Sequence, residues 1–132
     1  MIHTFPIRVY YQDTDAGGIV YHPNYLSFAE RGRTEMINDL GLSNSYIRDE
    51  LNTYIVVRHA ATDYTASARL EDHLIIETQV TDIGRTSFTL KQVVRRRDDD
   101  LICATMMVKL VCVNKDTGRP VRVPEILREK LS

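Results

Sequence analysis

Tryptophan is absent from this chain of 132 residues, and cysteine occurs only twice, proline four times and glycine six times. Two cysteines cannot hold a disulfide scaffold together. Cys103 and Cys112 stand nine positions apart in one β-rich run, where a period of two puts their side chains on opposite faces, so they read as separate buried thiols. The scarcity of proline and glycine excludes a low-complexity or linker-rich chain. No charge sign dominates either: 17 Lys and Arg against 18 Asp and Glu leave a net charge of -1, without the footprint of a general nucleic-acid or membrane-surface binder. No apolar run has the length of a membrane span, and Arg8 interrupts the start of the chain before a signal core can form, so the expected location is the cytoplasm. Metal ligands are missing as a pattern too. His3, His22, His59 and His73 offer no close pair with a third ligand, and no metal is expected.

What is present suffices for one domain, 1–132, with its own core. Phe5, Ile7, Val9 and Tyr11 alternate with Pro6, Arg8 and Tyr10 and predict a first strand with one buried face. From Asn24 the residues Tyr25, Phe28, Ala29, Gly32, Met36 and Leu40 recur at three- and four-residue steps, while Glu30, Arg31, Arg33, Thr34, Glu35 and Asn38 take the other faces. That is an amphipathic helix, with Pro23 at its first position and Gly41 as a left-handed C-terminal cap. A short helical turn is expected over 45–52, strands over 54–65, 74–83, 86–97 and 101–113, and a final short helix after Pro124. Gly84 and the run Asp98-Asp99-Asp100 mark turns, so the four later strands read as consecutive antiparallel hairpins. Strand, long helix, then several strands indicates an α+β fold with the helix on one face of an antiparallel sheet.

One segment carries more polar chemistry than a connection needs: Tyr11-Gln12-Asp13-Thr14-Asp15-Ala16-Gly17-Gly18-Ile19-Val20-Tyr21-His22-Pro23-Asn24-Tyr25. Asp13 and Asp15 alternate on an extended stretch, and only one needs to be catalytic. A carboxylate in a turn commonly bonds nearby backbone amides, which suits Asp13. Asp15, just before Gly17-Gly18 and near a helix mouth, is the better candidate for a general base or nucleophile. The two glycines form a tight turn or let a substrate approach the backbone. Pro23 has no N–H, so the amides of His22 and the next residues are the donors available to an oxyanion at the helix start. The His22 side chain reads as an N-cap, as a polar group at that mouth or as an acid–base, and a lone histidine in such a place is more often structural than catalytic. A carboxylate beside a helix N-terminus that polarises a carbonyl points to acyl transfer, here to water.

The run Arg8 to Tyr25, followed by Phe28, Glu30, Arg31, Arg33, Thr34 and Glu35, resembles the YbgC-like acyl-CoA thioesterases, relatives of 4-hydroxybenzoyl-CoA thioesterase with the hotdog fold. The likeness continues through Val57-Arg58, Tyr64, Ala68-Arg69-Leu70, Asp72, Leu74, Glu77-Thr78, Thr86-Ser87 and Val111-Cys112-Val113. Where relatives often carry proline before Ala-Arg-Leu, this chain has Ser67. The resemblance implies a long helix inside a curled antiparallel sheet and an acyl-CoA substrate. Asp15 matches the catalytic aspartate, as nucleophile or general base, and the His22 amide would polarise the thioester carbonyl. Tyr21, Asn24, Gly17 and Gly18 would line the substrate. No cofactor is implied, coenzyme A being part of the substrate. A homo-oligomer, dimer or tetramer, would place each site near a subunit boundary, and an acyl-carrier protein is an alternative acyl donor.

Two further groups have plain structural readings, and a third has a functional one. Glu30 and Glu35, five apart, do not stack on one helix face, though some hotdog thioesterases use a helix carboxylate. Arg95-Arg96-Arg97 against the three aspartates reads as a charged hairpin tip. Arg85, Thr86 and Ser87 beside Gly84 supply guanidinium and hydroxyl donors suited to coenzyme A phosphates. Two other functions compete with hydrolysis: hydration or dehydration of an acyl thioester, and non-catalytic binding of acyl-CoA or an acyl-carrier protein. Thiol release separates hydrolysis from both.

Overall fold

The computed structural model describes residues 1–132. Alternating apolar residues build five strands, β1 His3–Arg8, β2 Thr53–Tyr64, β3 His73–Ile83, β4 Ser87–Arg96 and β5 Ile102–Asn114. Three helices accompany them, α1 Asn24–Asp39, α2 Asn44–Glu50 and α3 Glu125–Leu131. All strands join one antiparallel sheet in the order β1-β3-β4-β5-β2. Only β3, β4 and β5 follow each other as hairpins. β2 is not the hairpin partner of β3, contrary to the expectation that the four later strands pair in sequence as hairpins. It crosses to the far edge and pairs with β5, while β1 takes the place beside β3.

The inner face is formed by alternate residues: Leu74, Ile76 and Thr78 on β3, Phe88, Leu90, Gln92 and Val94 on β4, and Ala104, Met106, Val108, Leu110 and Cys112 on β5, all buried. α1 lies across β1, β3 and β4 and turns Tyr25, Phe28, Ala29, Gly32, Met36 and Ile37 inward. The approach is close, because a methyl group on Gly32 would overlap the Ile76 side chain. Gln92, buried in the core, donates from its side-chain amide to the Ala29 carbonyl (2.8 Å) and the Thr78 hydroxyl (2.9 Å), fixing the helix against the sheet.

α1 ends as its sequence dictates. Gly41 adopts φ +85°, its N–H meets the Asn38 carbonyl and the Leu42 N–H meets that of Ile37, a Schellman closure. Pro23 stands one place earlier than expected, capping the helix with φ -61°. Ser43 caps α2 by accepting the Tyr46 N–H (3.0 Å). β1 stops at Arg8, so Tyr11 does not extend its buried face; it enters a 3-10 turn over Tyr11–Asp13 and is 82% exposed. At the β4–β5 tip, Arg96 pairs with Asp99, Arg97 with Asp98, and Arg95 with Glu77 and Asp100. Both cysteines are free and buried. No helix is long and apolar enough to cross a membrane.

Candidate active site

The opening motif folds into a small hairpin that feeds α1. The Tyr21 N–H donates to the Asp13 carbonyl, the Asp15 N–H to that of Ile19, and the Gly18 N–H to that of Asp15, with Thr14 bridging Val20. The two carboxylates divide along this hairpin. Asp13 is buried and its Oδ2 accepts the Tyr10 N–H at 2.8 Å, closing the 3-10 turn. Asp15 is exposed near the hairpin tip, and its Oδ1 accepts the Gly17 N–H at 2.8 Å.

The two glycines serve different local needs. A Cβ on Gly17 would stand 3.2 Å from the Asp15 Oδ1, so glycine leaves room for the carboxylate. Gly18 adopts φ +77°, the left-handed region that glycine enters without penalty. Asn24 donates from its Nδ2 to the Asp13 carbonyl at 2.9 Å and staples the helix start to the hairpin.

The helix mouth has one conspicuous donor. The N–H groups of Asn24, Tyr25 and Leu26 all donate to carbonyls one turn back, of Tyr21, His22 and Pro23, and the Tyr21 N–H is held by Asp13. The His22 N–H has no acceptor within the chain, and His22 is exposed. Its imidazole makes no hydrogen bond and packs against two rings, Tyr21 at 5.4 Å and Tyr64 at 5.8 Å between centroids. Tyr64 ends β2 and also meets Tyr25, at 5.6 Å. Tyr21, half exposed, thus forms one wall of the mouth.

Arg85, Thr86 and Ser87 lie elsewhere on the chain. Tyr64 pairs with Ala104 and Ser87 with Val111, seven positions along β5, which is roughly 24 Å of strand. There the Arg85 and Thr86 carbonyls accept the N–H groups of Val123 and Cys112, and Arg128 donates to the Gly84 carbonyl at 2.7 Å. One chain therefore gathers Asp15, Gly17, Gly18, Tyr21, His22 and Asn24 in one place, and the Arg85 group in another.

Tyr25, at the end of the singled-out segment, and Tyr64, part of the family likeness, are the residues to which sequence reasoning gave no role at this locality. Tyr25 counts as core by its helical spacing, yet a buried phenol needs a hydrogen-bond partner, and that was the available signal. Its hydroxyl accepts the Ala68 N–H at 3.0 Å. Burial pushes this hydroxyl's pKa up, partly offset by the Ala68 bond.

A long helix laid over a five-stranded antiparallel sheet is the architecture of the hotdog fold. The pattern of the thioesterase-like superfamily matches residues 9–131. The chain is 38% identical to the acyl-CoA thioesterase YbgC of Haemophilus influenzae over 122 residues, 92% of this chain and 88% of that protein. It is also 38% identical to the acyl-CoA thioester hydrolase YbgC of Escherichia coli, over 92% of this chain and 89% of that one. The crystal structure of a probable thioesterase from Bartonella henselae superimposes with a TM-score of 0.88 at 31% identity, covering 94% of this chain and all of that one. The protein belongs to the thioesterase-like superfamily, among its YbgC-like members.

Proposed function

We propose that this protein hydrolyses an acyl-CoA thioester to the free acid and coenzyme A, with Asp15 and the start of α1 as its reacting parts. The observation that carries the reading is the unpartnered His22 N–H at a helix N-terminus fed by the hairpin that bears an exposed Asp15. A backbone donor there meets the thioester oxygen as it gains charge, reinforced by the helix dipole, and one such donor is worth about 3–4 kcal/mol of barrier.

Asp15 serves in one of two ways. As general base it takes a proton from water while the oxygen attacks the carbonyl; the tetrahedral intermediate then expels the thiolate, which is protonated. As nucleophile its carboxylate displaces the thiolate to form a mixed anhydride, which water hydrolyses. Label in the protein after single turnover in ¹⁸O-water identifies the anhydride route, since only attack by Asp15 followed by hydrolysis at its carboxyl carbon puts it there. Neither route needs a cofactor beyond the coenzyme A of the substrate.

The test is thiol release from short, long and aromatic acyl-CoAs, with an acyl-carrier-protein thioester as a further arm. Asp15→Ala should lose turnover by at least a hundredfold while keeping the melting temperature. Normal turnover in the folded variant would overturn the assignment of Asp15.

The assembly belongs to the same reading. β2 is an edge strand whose Tyr54, Val56, Val57, Ala60 and Tyr64 are exposed, which suits antiparallel pairing with β2 of a second copy. Such pairing runs the Tyr64 end of one strand toward the Thr53 end of the other. This is the arrangement in which Arg85, Thr86 and Ser87 of a second copy come toward the helix mouth to meet nucleotide phosphates. A dimer satisfies it, and a tetramer adds a further contact between dimers.

A further inference from the structure

We infer that Tyr25 is a positioning residue for thioester hydrolysis, its hydroxyl setting the start of α1 against the hairpin that carries Asp15. This inference rests on the reading of Asp15 and His22 above.

Tyr25 is 3% exposed and is the one side chain that ties α1 to the segment connecting β2 and β3 through a buried hydrogen bond, from Ala68 N–H to its hydroxyl at 3.0 Å. That segment holds the hairpin in turn. The Ala68 carbonyl accepts the Val20 N–H at 2.9 Å, Ile19 bridges Arg69, and the Leu70 N–H reaches the Gly18 carbonyl at 3.4 Å. Ala68 therefore faces the helix with its donor and the hairpin with its acceptor. A shift of Ala68 moves Val20, two residues from the His22 amide on one side and opposite the Thr14–Asp15 arm on the other.

Two features show that this segment is built rather than incidental. Glu71, a non-glycine residue, is held at φ +69°, and the backbone around it is fixed by Glu71 N–H to the Val9 carbonyl (3.0 Å) and Arg69 N–H to Asp72 Oδ2 (2.8 Å). An exposed side chain offers no reason for that conformation, which instead turns the chain so that Ala68 to Leu70 lie along the hairpin. The Tyr25 ring also packs edge-on to Phe28 at 6.0 Å and tilts against Tyr64 at 5.6 Å, and Tyr64 in turn supports the His22 ring. One side chain thus reaches the helix, the connecting segment and the aromatic wall. Because the phenol stays neutral and accepts rather than reacts, it acts through its neighbours and does not touch the substrate.

The test is Tyr25→Phe, which keeps the ring and removes the acceptor. The expected result is a kcat at least tenfold lower with KM within twofold, measured well below the melting temperature, together with faster hydrogen exchange at the Ala68 amide. Ile47→Val, which removes a buried methyl from α2, is the matched control and should lower the melting temperature while leaving kcat unchanged. Should Tyr25→Phe fail to fold, 3-fluorotyrosine at this position weakens the oxygen as an acceptor without changing shape, and kcat should again fall with KM held. An unchanged kcat in either Tyr25 variant, or an equal loss in Ile47→Val, overturns the inference. An inactive Asp15→Ala beside a fully active Tyr25→Phe removes only this inference, whereas an active Asp15→Ala removes the reading on which it rests.

Discussion

The contact between Gly17 and Asp15 makes a sharp demand on a single atom. A Cβ at Gly17 would stand 3.2 Å from the Asp15 carboxylate oxygen, tighter than ordinary contact, so the carboxylate must turn by a few tenths of an ångström. Gly17→Ala should therefore lower kcat by roughly tenfold, since small displacements of a reacting group are costly in rate. Stability should hold or rise slightly, because alanine restricts the unfolded chain and Gly17 is not in the left-handed region. Gly18→Ala should do the reverse, costing about 1–2 kcal/mol of stability at its φ of +77°. Thermal melts and steady-state kinetics on the pair check both. Much at this scale was legible in sequence. The preference of Asp13 for a turn bonded to backbone amides agrees with its bond to the Tyr10 N–H, while Asp15 lies exposed near the hairpin tip. The stapling role of Asn24 was not legible, because its acceptor, the Asp13 carbonyl eleven residues earlier, becomes a neighbour only once the hairpin closes.

Among the elements, α1 shows how a packing requirement can defeat local preference. Alanine favours a helix over glycine by about 1 kcal/mol, so Gly32→Ala would stabilise an isolated helix. Here the added methyl overlaps Ile76 on β3, and overpacking of that kind costs about 1–3 kcal/mol. The net expectation is destabilisation by about 1 kcal/mol, up to about 2, read as a lower denaturant midpoint with an unchanged slope. The helix itself was plain in the sequence, since the three- and four-residue steps, Pro23 and Gly41 are local signals. The place of β2 was not. Its partner β5 begins nearly forty residues after β2 ends, and nothing in the residues between them marks which edge β2 will join. The remoteness of Arg85 to Ser87 from the helix mouth was hidden for the same reason, as it depends on the length of β5.

For the whole molecule, the core sets how stability responds to alkali. Burial pushes the Cys112 thiol from 9.0 to about 11 and raises those of Cys103 and Tyr25 in the same direction. A raised pKa means that the folded state keeps a proton the unfolded state releases, so this stabilisation is intact below about pH 9 and is lost as pH rises toward 11. Cys112→Ala should flatten the decline in stability between pH 9 and 11, measured by urea titration at successive pH values. The flattening should be partial, because Cys103 shares the sign. Association is the other property of this scale. Light scattering should give the mass of a dimer or a multiple of it, and a fully active monomer would contradict pairing through β2.

That same edge bears on solubility. A strand of 12 residues with one unpaired side is a template for any extended chain, and such templates lead to aggregation unless they are interrupted. β2 is interrupted at Arg58, where the register against β5 slips between Val57 and His59 and divides the ladder into Thr53 to Val57 and His59 to Tyr64. The bulge bends the edge, and Arg58, His59 and Asp63 add charge or polarity beside it. A foreign strand must match a kinked, charged outline, whereas a second copy of β2 brings its own bulge to the pairing. One extra residue in the ladder would thus discriminate between the proposed pairing through β2 and uncontrolled aggregation.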